Sequence, residues 1–189
     1  MNTAAPIKIT YTSSNANMEE IHRLFEEGLA KVKSQMGREH TLHIGGKPVL
    51  SHKPLIADVS PIDSKVLLGK FQAGTGAHVN QAVESARSSW RKWAQTPWQE
   101  RVRILRQAAK LIRQRKFELG ALMSLEVGKS RMEAMGDAEE SADLIDYYCQ
   151  QMEDANGFIR PLNRMTPVET NTDMLRPYGV FACISPFNF

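Results

Sequence analysis

The sequence predicts an α/β fold. Apolar residues recur at helical spacing in five segments between residues 17 and 156, and short apolar runs bounded by turn residues lie between the first two of these segments. Residues 180–184 are apolar without alternation, which is typical of a strand that is buried on both faces of a parallel sheet. With 42% apolar and 24% charged residues among 189, the chain has enough apolar material for a core.

The first predicted helix follows a leader, residues 1–17, which lacks the basic and apolar regions of a secretory signal. Asn17 and Glu20 have the spacing of a capping box. The helix is expected to extend to about residue 36 and to end at Gly37. Its apolar positions follow a 3.6-residue period: Ile21, Leu24, Phe25, Leu29, Val32 and Met36.

Short strands are expected after this helix. Residues 41–50 hold two apolar segments around Gly45-Gly46, which indicates a hairpin with a primed turn. Further strands are expected over residues 56–60 and 66–71, because the turn-forming residues 61–63 separate two apolar runs.

The pattern becomes helical again at Val79, and residues 74–76 are expected to form a flexible turn ahead of that helix. Thr96 is expected to cap the next helix, with Pro97 at its first position and Gln99 completing a capping box. Apolar residues lie at helical spacing in both helices, and the tryptophans among them are expected to be core: Val79, Ala82, Val83, Ala86, Trp90 and Trp93 in one helix, and Val102, Leu105, Ala109 and Ile112 in the other.

Two more helices follow. One is expected over residues 117–127 and should end at Gly128, since glycine is the preferred residue just after a helix. Ser130 and Glu133 have capping-box spacing and should open a long helix that extends to about residue 156, where Gly157 stops it. One side of this helix is apolar: Met135, Ala138, Ala142, Ile145, Cys149 and Met152.

The last part of the chain should consist of two strand arms, over residues 158–162 and 172–176, followed by the apolar strand. Cys183 lies in that strand and is expected to be inert packing. A strand buried on both faces needs neighbours and covering helices, and nothing after Phe189 supplies them. We therefore expect that the sequence is truncated and holds only the start of a second domain. We also expect the protein to have poor solubility.

Composition and spacing disfavour several kinds of site. Two distant cysteines without a CxxC motif argue against a disulfide framework or structural zinc, and favour a reducing, cytoplasmic compartment. The five histidines lack metal-ligand spacing, no apolar run is long enough to suggest a membrane span, and a net charge of +3 is no evidence for nucleic acid. Gly128-Lys129-Ser130 is not a phosphate loop, because Met123 stands where that loop needs glycine.

The most specific signal is Pro177-Tyr-Gly-Val-Phe-Ala-Cys-Ile-Ser-Pro-Phe-Asn-Phe189. It resembles the segment P-x-G-V-x-x-x-I-x-P-W-N-F-P that opens the cofactor domain of aldehyde dehydrogenases. Val59-Ser-Pro61 resembles the early V-N-P turn of that family, and Glu126-Val-Gly-Lys129 its E-x-G-K turn. Residues 126–152 are most similar to the 1-pyrroline-5-carboxylate (glutamate semialdehyde) dehydrogenase branch.

The resemblance implies the N-terminal part of the aldehyde dehydrogenase fold, in four pieces. Residues 1–40 would be a leader and helix, 41–157 a strand hairpin with the helical part of the cofactor domain, and 158–178 a protruding arm of the oligomerisation type. Residues 179–189 would be the truncated first strand of the Rossmann-like dinucleotide-binding core. The resemblance also implies NAD as cofactor, with NADP left open, a small aldehyde as substrate, a homo-oligomer, and neither nucleic acid nor membrane as partner.

The resemblance assigns catalytic and cofactor roles to the end of the chain. In the family, a cysteine thiolate attacks the aldehyde, and the side-chain amide of the motif asparagine, here Asn188, helps to hold the resulting oxyanion. Four residues match the stretch that lines the nicotinamide-ribose side of the cofactor, although the fourth is commonly Trp in the family: Ile184, Ser185, Pro186 and Phe187.

Two residues are implied to contact the substrate. Phe189 matches a wall of the aldehyde tunnel. Glu126 lies in the helix-end turn that faces the substrate mouth in this branch, where a carboxylate could meet the amino group of glutamate semialdehyde. The other interpretation of Glu126 is a surface residue near a helix end.

The family's nucleophilic cysteine, general-base glutamate and adenine-phosphate lysine segment lie downstream of Asn188. The complete enzyme is expected to oxidise L-glutamate γ-semialdehyde to glutamate in proline degradation, and this chain alone is expected to be inactive. The alternative is a non-catalytic module that pairs with a full-length subunit through the strand arms or binds anions through the basic stretch Arg101–Lys116. A solvated helix face is the favoured interpretation of that stretch, because acidic residues elsewhere nearly balance its charge.

Overall fold

The computed structural model describes residues 18–185, which form five α-helices, seven short strands and a 3₁₀ turn. The helices are α1 Met18–Lys33, α2 Gly76–Gln95, α3 Trp98–Gln114, α4 Lys116–Val127 and α5 Arg131–Asp154. The strands are β1 Arg38–His40, β2 Leu42–Ile44, β3 Lys47–Val49, β4 Ile56–Val59, β5 Leu67–Phe71, β6 Ile159–Pro161 and β7 Thr172–Met174. None of the helices in this part of the chain has both the length and the hydropathy needed to span a bilayer.

The core lies where α1, α4 and α5 pack together, and α3 packs on the other end of α5. Its buried residues are Ile21, Phe25, Val32, Ala121 and Met135. Gly28 permits the close approach of α1 to α4, since a Cβ there would lie 2.7 Å from the Phe117 carbonyl carbon. The predicted first helix is confirmed, although Asn17 lies outside the described residues and α1 ends at Lys33, before a turn that includes Gly37.

The strands form a three-stranded sheet and two hairpins. In the sheet, β5 lies between β1, which is parallel to it, and β4, which is antiparallel. The β2–β3 hairpin is confirmed: Gly45 and Gly46 have φ values of 60° and 74°, as a type I′ turn requires. Strand β1 was not predicted, because Arg38-Glu39-His40 is polar and so lacks the apolar alternation of a strand.

Two predictions about helix starts are wrong. Gly76 is the first residue of α2, not part of a flexible turn, because Thr75 caps the helix and His78 completes the box, with its Nδ1 accepting the Thr75 N–H at 3.2 Å. Thr96 caps the end of α2, since its hydroxyl donates to the Lys92 carbonyl at 2.9 Å. Helix α3 has no side-chain cap.

The predicted boundary between the last two helices is confirmed. Gly128 ends α4 in the left-handed conformation, with φ 74°. Ser130 then caps α5 in a capping box with Glu133, whose backbone N–H donates to the Ser130 hydroxyl at 3.4 Å. Helix α5 buries Met135, Ala138, Ala142 and Cys149, as its apolar stripe indicated.

The prediction that the α2 tryptophans are core is wrong for the described part of the chain. No residue of α2 is buried, and Val79 and Trp93 are 60% and 39% exposed. An apolar stripe predicts only that a helix has a face to cover, and the described residues that approach it, among them Gly179 and Phe181, leave most of it exposed. Helix α3 buries Val102 and Ala109, whereas Leu105 is 43% exposed.

The strand arms are confirmed as the antiparallel pair β6–β7, with Ile159 opposite Met174. The strand predicted over 180–184 is absent: these residues have no strand pairing, and Phe181 is 72% exposed. Cys183 is therefore exposed, not packed as predicted. The physical reason is that a strand buried on both faces needs neighbouring strands, and none of the described strands pairs with this segment.

Candidate functional site

Most of the site residues predicted from the sequence fall at the very end of the chain. Pro186, Phe187, Asn188 and Phe189 lie outside the described residues. Ile184 and Ser185 are described and exposed, Ile184 by 94%. Glu126 lies in the last turn of α4, and the cavity that it lines includes neither Ile184 nor Ser185.

The described part of the predicted cofactor segment does not enclose a nicotinamide ring by itself. Ile184 is 94% exposed, and two cavities that touch this segment are lined by Gly179 and Val180 together with α2. A ligand site normally buries most of its ligand. Further residues are thus needed to complete a dinucleotide site here.

Glu126 lines a cavity of about 340 Å³ between α1, α4 and the sheet. Asp58 on β4 lines the same cavity, and the side walls are mostly apolar: Val32, Met36, Leu68, Phe71, Leu119 and Leu122. The ring of His40 stacks on Phe71 with centroids 4.8 Å apart, which fixes one wall. The hydroxyl of Ser60, in the Val59-Ser-Pro61 turn, donates to the Leu125 carbonyl at 2.6 Å and so holds this turn against the end of α4.

The carboxylates give the cavity a negative character. Partial burial, and then the nearby charge of Asp58, raise the pKa of Glu126. Glu118 also lines this cavity. Hydrogen bonds from Arg115 and Lys31 lower the pKa of Glu118 to about 2, so these two cations balance its negative charge. Within the described residues the Glu126 carboxylate has no ion pair, and a cationic group would find a favourable place beside it.

Arg106, Arg113 and Lys116 of the basic stretch pair with carboxylates of α5. Arg106 pairs with Glu153 at 2.6 Å, and Arg113 pairs with Asp143 and Asp146, each at 2.6 Å. Glu139 accepts from both Arg113, at 2.9 Å, and the buried Lys116, at 3.1 Å. This network was not predicted from the sequence, although acidic residues recur at helical spacing along α5: Glu139, Asp143, Asp146 and Glu153.

The remaining reactive groups offer no alternative centre among the described residues. No group of three or more His, Cys, Asp or Glu in residues 18–185 is placed to hold a metal ion. Cys149 is buried on α5, and its thiol contacts the Val102 carbonyl oxygen at 3.9 Å. Burial raises the pKa of this thiol, which makes it a poor nucleophile.

Residues 49–189 match the model of the aldehyde dehydrogenase family. The chain is 33% identical over 172 residues to 1-pyrroline-5-carboxylate dehydrogenase from Geobacillus sp. (strain WCH70), and 30% identical over 172 residues to that of Oceanobacillus iheyensis. Each alignment covers 91% of this chain and 33% of the relative. The chain therefore spans about a third of the length of the curated relatives it matches.

Solved structures give the same result. A point mutant of Thermus thermophilus 1-pyrroline-5-carboxylate dehydrogenase aligns with a TM-score of 0.70 and 31% identity over 79% of this chain and 28% of that one. A Thermus 1-pyrroline-5-carboxylate dehydrogenase with bound NAD aligns with a TM-score of 0.69 and 32% identity, with the same coverage. These likenesses confirm the predicted resemblance and the predicted fold class.

Proposed function

The chain belongs to the aldehyde dehydrogenase family, and we propose that it supplies the N-terminal part of an NAD-dependent dehydrogenase that oxidises L-glutamate γ-semialdehyde to glutamate. The observation that carries this proposal is the 33% identity, over 91% of the chain, to a relative named for 1-pyrroline-5-carboxylate. That substrate chemistry belongs to proline degradation.

Glu126 is the proposed contact for the substrate's amino group. The support is that it lines a cavity together with Asp58, where neither carboxylate has an ion-pair partner among residues 18–185. An ammonium group between these carboxylates would favour their charged forms, so substrate binding should lower the raised pKa of Glu126. The amine would thereby anchor the substrate at the end away from its aldehyde.

Asn188 is proposed to donate its side-chain amide hydrogen to the oxyanion that forms when a cysteine thiolate attacks the aldehyde. Such a donor contributes about 2.7–4 kcal/mol to lowering the barrier in well-studied cases. Phe189 is proposed to wall the aldehyde path. The support for both assignments is the sequence motif, since both residues lie outside the described part of the chain.

NAD is the proposed hydride acceptor, supported by the bound NAD of the Thermus relative, and NADP stays open. Ile184, Ser185, Pro186 and Phe187 are the proposed lining of its nicotinamide-ribose side. Because the described residues do not enclose this group by themselves, no catalytic step is assigned to them here.

The four-part division of the chain and its oligomerisation are also proposals. Residues 158–178 are proposed to form an arm that pairs with a second subunit, because in the described structure β6 and β7 pair only with each other and carry unpaired edges. The isolated chain is proposed to lack dehydrogenase activity. Purified 189-residue protein should give no NADH from glutamate semialdehyde, and turnover in material free of longer protein would contradict this.

The size of the native protein tests the functional proposal directly. An antibody against residues 101–126 should detect a protein of several hundred residues in the source cells, because the chain covers only 33% of the matched relatives. In that protein, Asn188→Ala should lower kcat by about 10²–10³. A single band at 21.3 kDa would overturn the enzyme proposal and favour a partner or regulatory role.

A further inference from the structure

The hydroxyl of Ser60 lies where the turn after β4 meets the end of α4. Ser60 is only 2% exposed. Its Oγ atom donates to the Leu125 carbonyl at 2.6 Å and accepts the backbone N–H of Ile62 at 3.3 Å. Pro61 packs beside it, since a Cβ added at Gly128 would lie 3.9 Å from the Pro61 ring. The donor of this hydroxyl and one of its acceptor sites are thus used, which fixes its orientation.

The bond from Ser60 completes the last turn of α4. A helix leaves its last four carbonyls without partners of its own. Gly128 ends α4 in the left-handed conformation, and its N–H donates to the Ser124 carbonyl at 3.1 Å. The next carbonyl, that of Leu125, accepts from Ser60, 65 residues away in the chain. A distant side chain therefore holds the turn of α4 that carries Glu126.

The turn that contains Ser60 is held by bonds that do not depend on its hydroxyl. The Ser60 N–H donates to the Val66 carbonyl, and the Val66 N–H donates to the Asp63 carbonyl, each at 2.9 Å. The pairing of β4 with β5 shifts register between Asp58 and Val59, and such bulges are common beside functional sites. Removing the hydroxyl should therefore release the end of α4 and leave the turn folded.

The same hydrogen bond ties together two carboxylates. Asp58 precedes Ser60 by two residues, and Glu126 follows Leu125 directly. Both carboxylates line the cavity of about 340 Å³, and the charge of Asp58 contributes to the raised pKa of Glu126. The distance between them therefore depends on how the turn is fastened to α4. Three other titratable groups line this cavity: His40, Arg115 and Glu118.

We propose that the Ser60 hydroxyl positions Glu126 and thereby sets the preference for an aldehyde that carries an amino group. Ser60 acts through Glu126 and does not touch the substrate. The preference rests on the proposed function, whereas the positioning of Glu126 is a property of the chain itself. An ammonium group gains most from two carboxylates when both are held at a fixed, short distance from it.

The positioning of Glu126 is measured in the 189-residue chain without substrate. In Ser60→Ala the Leu125 carbonyl loses its donor, so the amide of Gly128 should exchange with solvent about tenfold faster. The raised pKa of Glu126 should fall toward 4.5, because the carboxyl moves away from Asp58 and into water. Carbon NMR of protein labelled at the glutamate carboxyls gives this pKa, with the Glu126 signal identified by its loss in Glu126→Gln.

Ser124→Ala is the matched control. It removes a hydroxyl from the same end of α4, but the buried Ser124 Oγ atom has no hydrogen-bond partner among the described residues. This variant should leave the amide exchange and the pKa of Glu126 unchanged. Glu118 provides an internal control, since its partners are Arg115 and Lys31 and its pKa should stay near 2 in both variants.

The preference for the amino group is measured in the longer enzyme. There Ser60→Ala should lower kcat/KM for glutamate semialdehyde about three- to tenfold, the range for one lost hydrogen bond, and should do so through KM. For 5-oxopentanoate, the same aldehyde without the amino group, kcat/KM should change by less than about twofold, because this substrate has no contact with Glu126 to lose.

The proposal is wrong if Ser60→Ala leaves the pKa of Glu126 as in the wild type, or if Ser124→Ala lowers it equally. Equal losses of kcat/KM for the two aldehydes would also overturn it. Ser60→Thr keeps the hydroxyl, so a lowered pKa of Glu126 in this variant would contradict the proposal even if Ser60→Ala does not fold. If the longer enzyme does not oxidise glutamate semialdehyde while Ser60→Ala still lowers that pKa, the proposed function fails and the positioning of Glu126 stands.

Discussion

Helices α2 and α3 are neighbours in the chain, both amphipathic and both rich in arginine, yet they stand in different surroundings. Helix α3 buries Val102 and Ala109, and Arg106 and Arg113 are bridged to carboxylates of α5. Helix α2 buries no residue, and Arg87 and Arg91 have no acidic partner among residues 18–185. Periodicity thus identifies a helix and its apolar face, whereas matched charges indicate whether a folded partner covers it.

The largest loss of stability is expected from a substitution where α3 and α4 pack on α5. Glu139→Ala removes the carboxylate that Lys116 and Arg113 share, and both Glu139 and Lys116 have side chains only 5% exposed. Breaking a buried ion pair from one side costs about 3–5 kcal/mol, because a charge stays buried without that partner. Urea unfolding should show a loss of this size in the free energy of unfolding, without a change in slope.

The matched control is Glu100→Ala, which breaks the exposed pair with Arg103 within α3. It should cost less than about 1 kcal/mol, as exposed pairs usually do. If Glu139→Ala costs no more than Glu100→Ala, the network does not hold α3 and α4 on α5.

The second test compares the same substitution on the two helices. Val102→Ala on α3 should cost about 2 kcal/mol, since Val102 is 6% exposed and its loss leaves a cavity. Val83→Ala on α2 should change stability by less than about 0.5 kcal/mol, because Val83 is already 37% exposed. Equal losses would mean that α2 is covered in solution, and a dependence on protein concentration would identify self-association as the cover.

The elements that the sequence predicted well are those with local signals. Gly128 ends α4 and Ser130 with Glu133 starts α5 because the groups that satisfy each helix end lie within a few residues. The start of α2 was misplaced because His78, an unusual residue for a capping box, completes it. The strand expected over residues 180–184 needs partners that no local pattern supplies.

The site shows the same division. Glu126 was proposed from its motif, whereas Asp58, which lines the same cavity, comes from β4, far away in sequence, and no spacing rule joins the two. Arg176 and Tyr178 come near Trp90 of α2 only through the fold, and no pattern in the sequence indicates that approach. Contacts between distant segments depend on tertiary packing, which a single sequence does not display.

A smaller change in the free energy of unfolding is expected at low pH. Hydrogen bonds from Arg115, and then from Lys31, lower the pKa of Glu118 from 4.5 to about 2 in the folded chain. The folded pKa lies below the unfolded one, so this carboxylate stabilises the fold above pH 4.5 and loses that contribution as the pH falls toward 2. In Glu118→Gln the free energy of unfolding should therefore fall less steeply than in the wild type between these pH values. An acid limb unchanged by Glu118→Gln would mean that the bridge from α1 to α4 through Lys31 does not stabilise the fold.

The reactivity of the two cysteine thiols tests the comparison by exposure and not by stability. Cys149 is 2% exposed beneath α3, and burial raises its pKa, whereas Cys183 is exposed in the segment after the arm. Ellman's reagent should therefore titrate one thiol rapidly in native buffer and two in urea. Cys183→Ser should abolish the rapid reaction without shifting the unfolding midpoint, and Cys149→Ser should keep it. Two rapidly reacting thiols would show that α3 opens from α5. If neither thiol reacts rapidly, residues 180–185 are packed away from solvent, which would contradict the exposure of this segment beside α2.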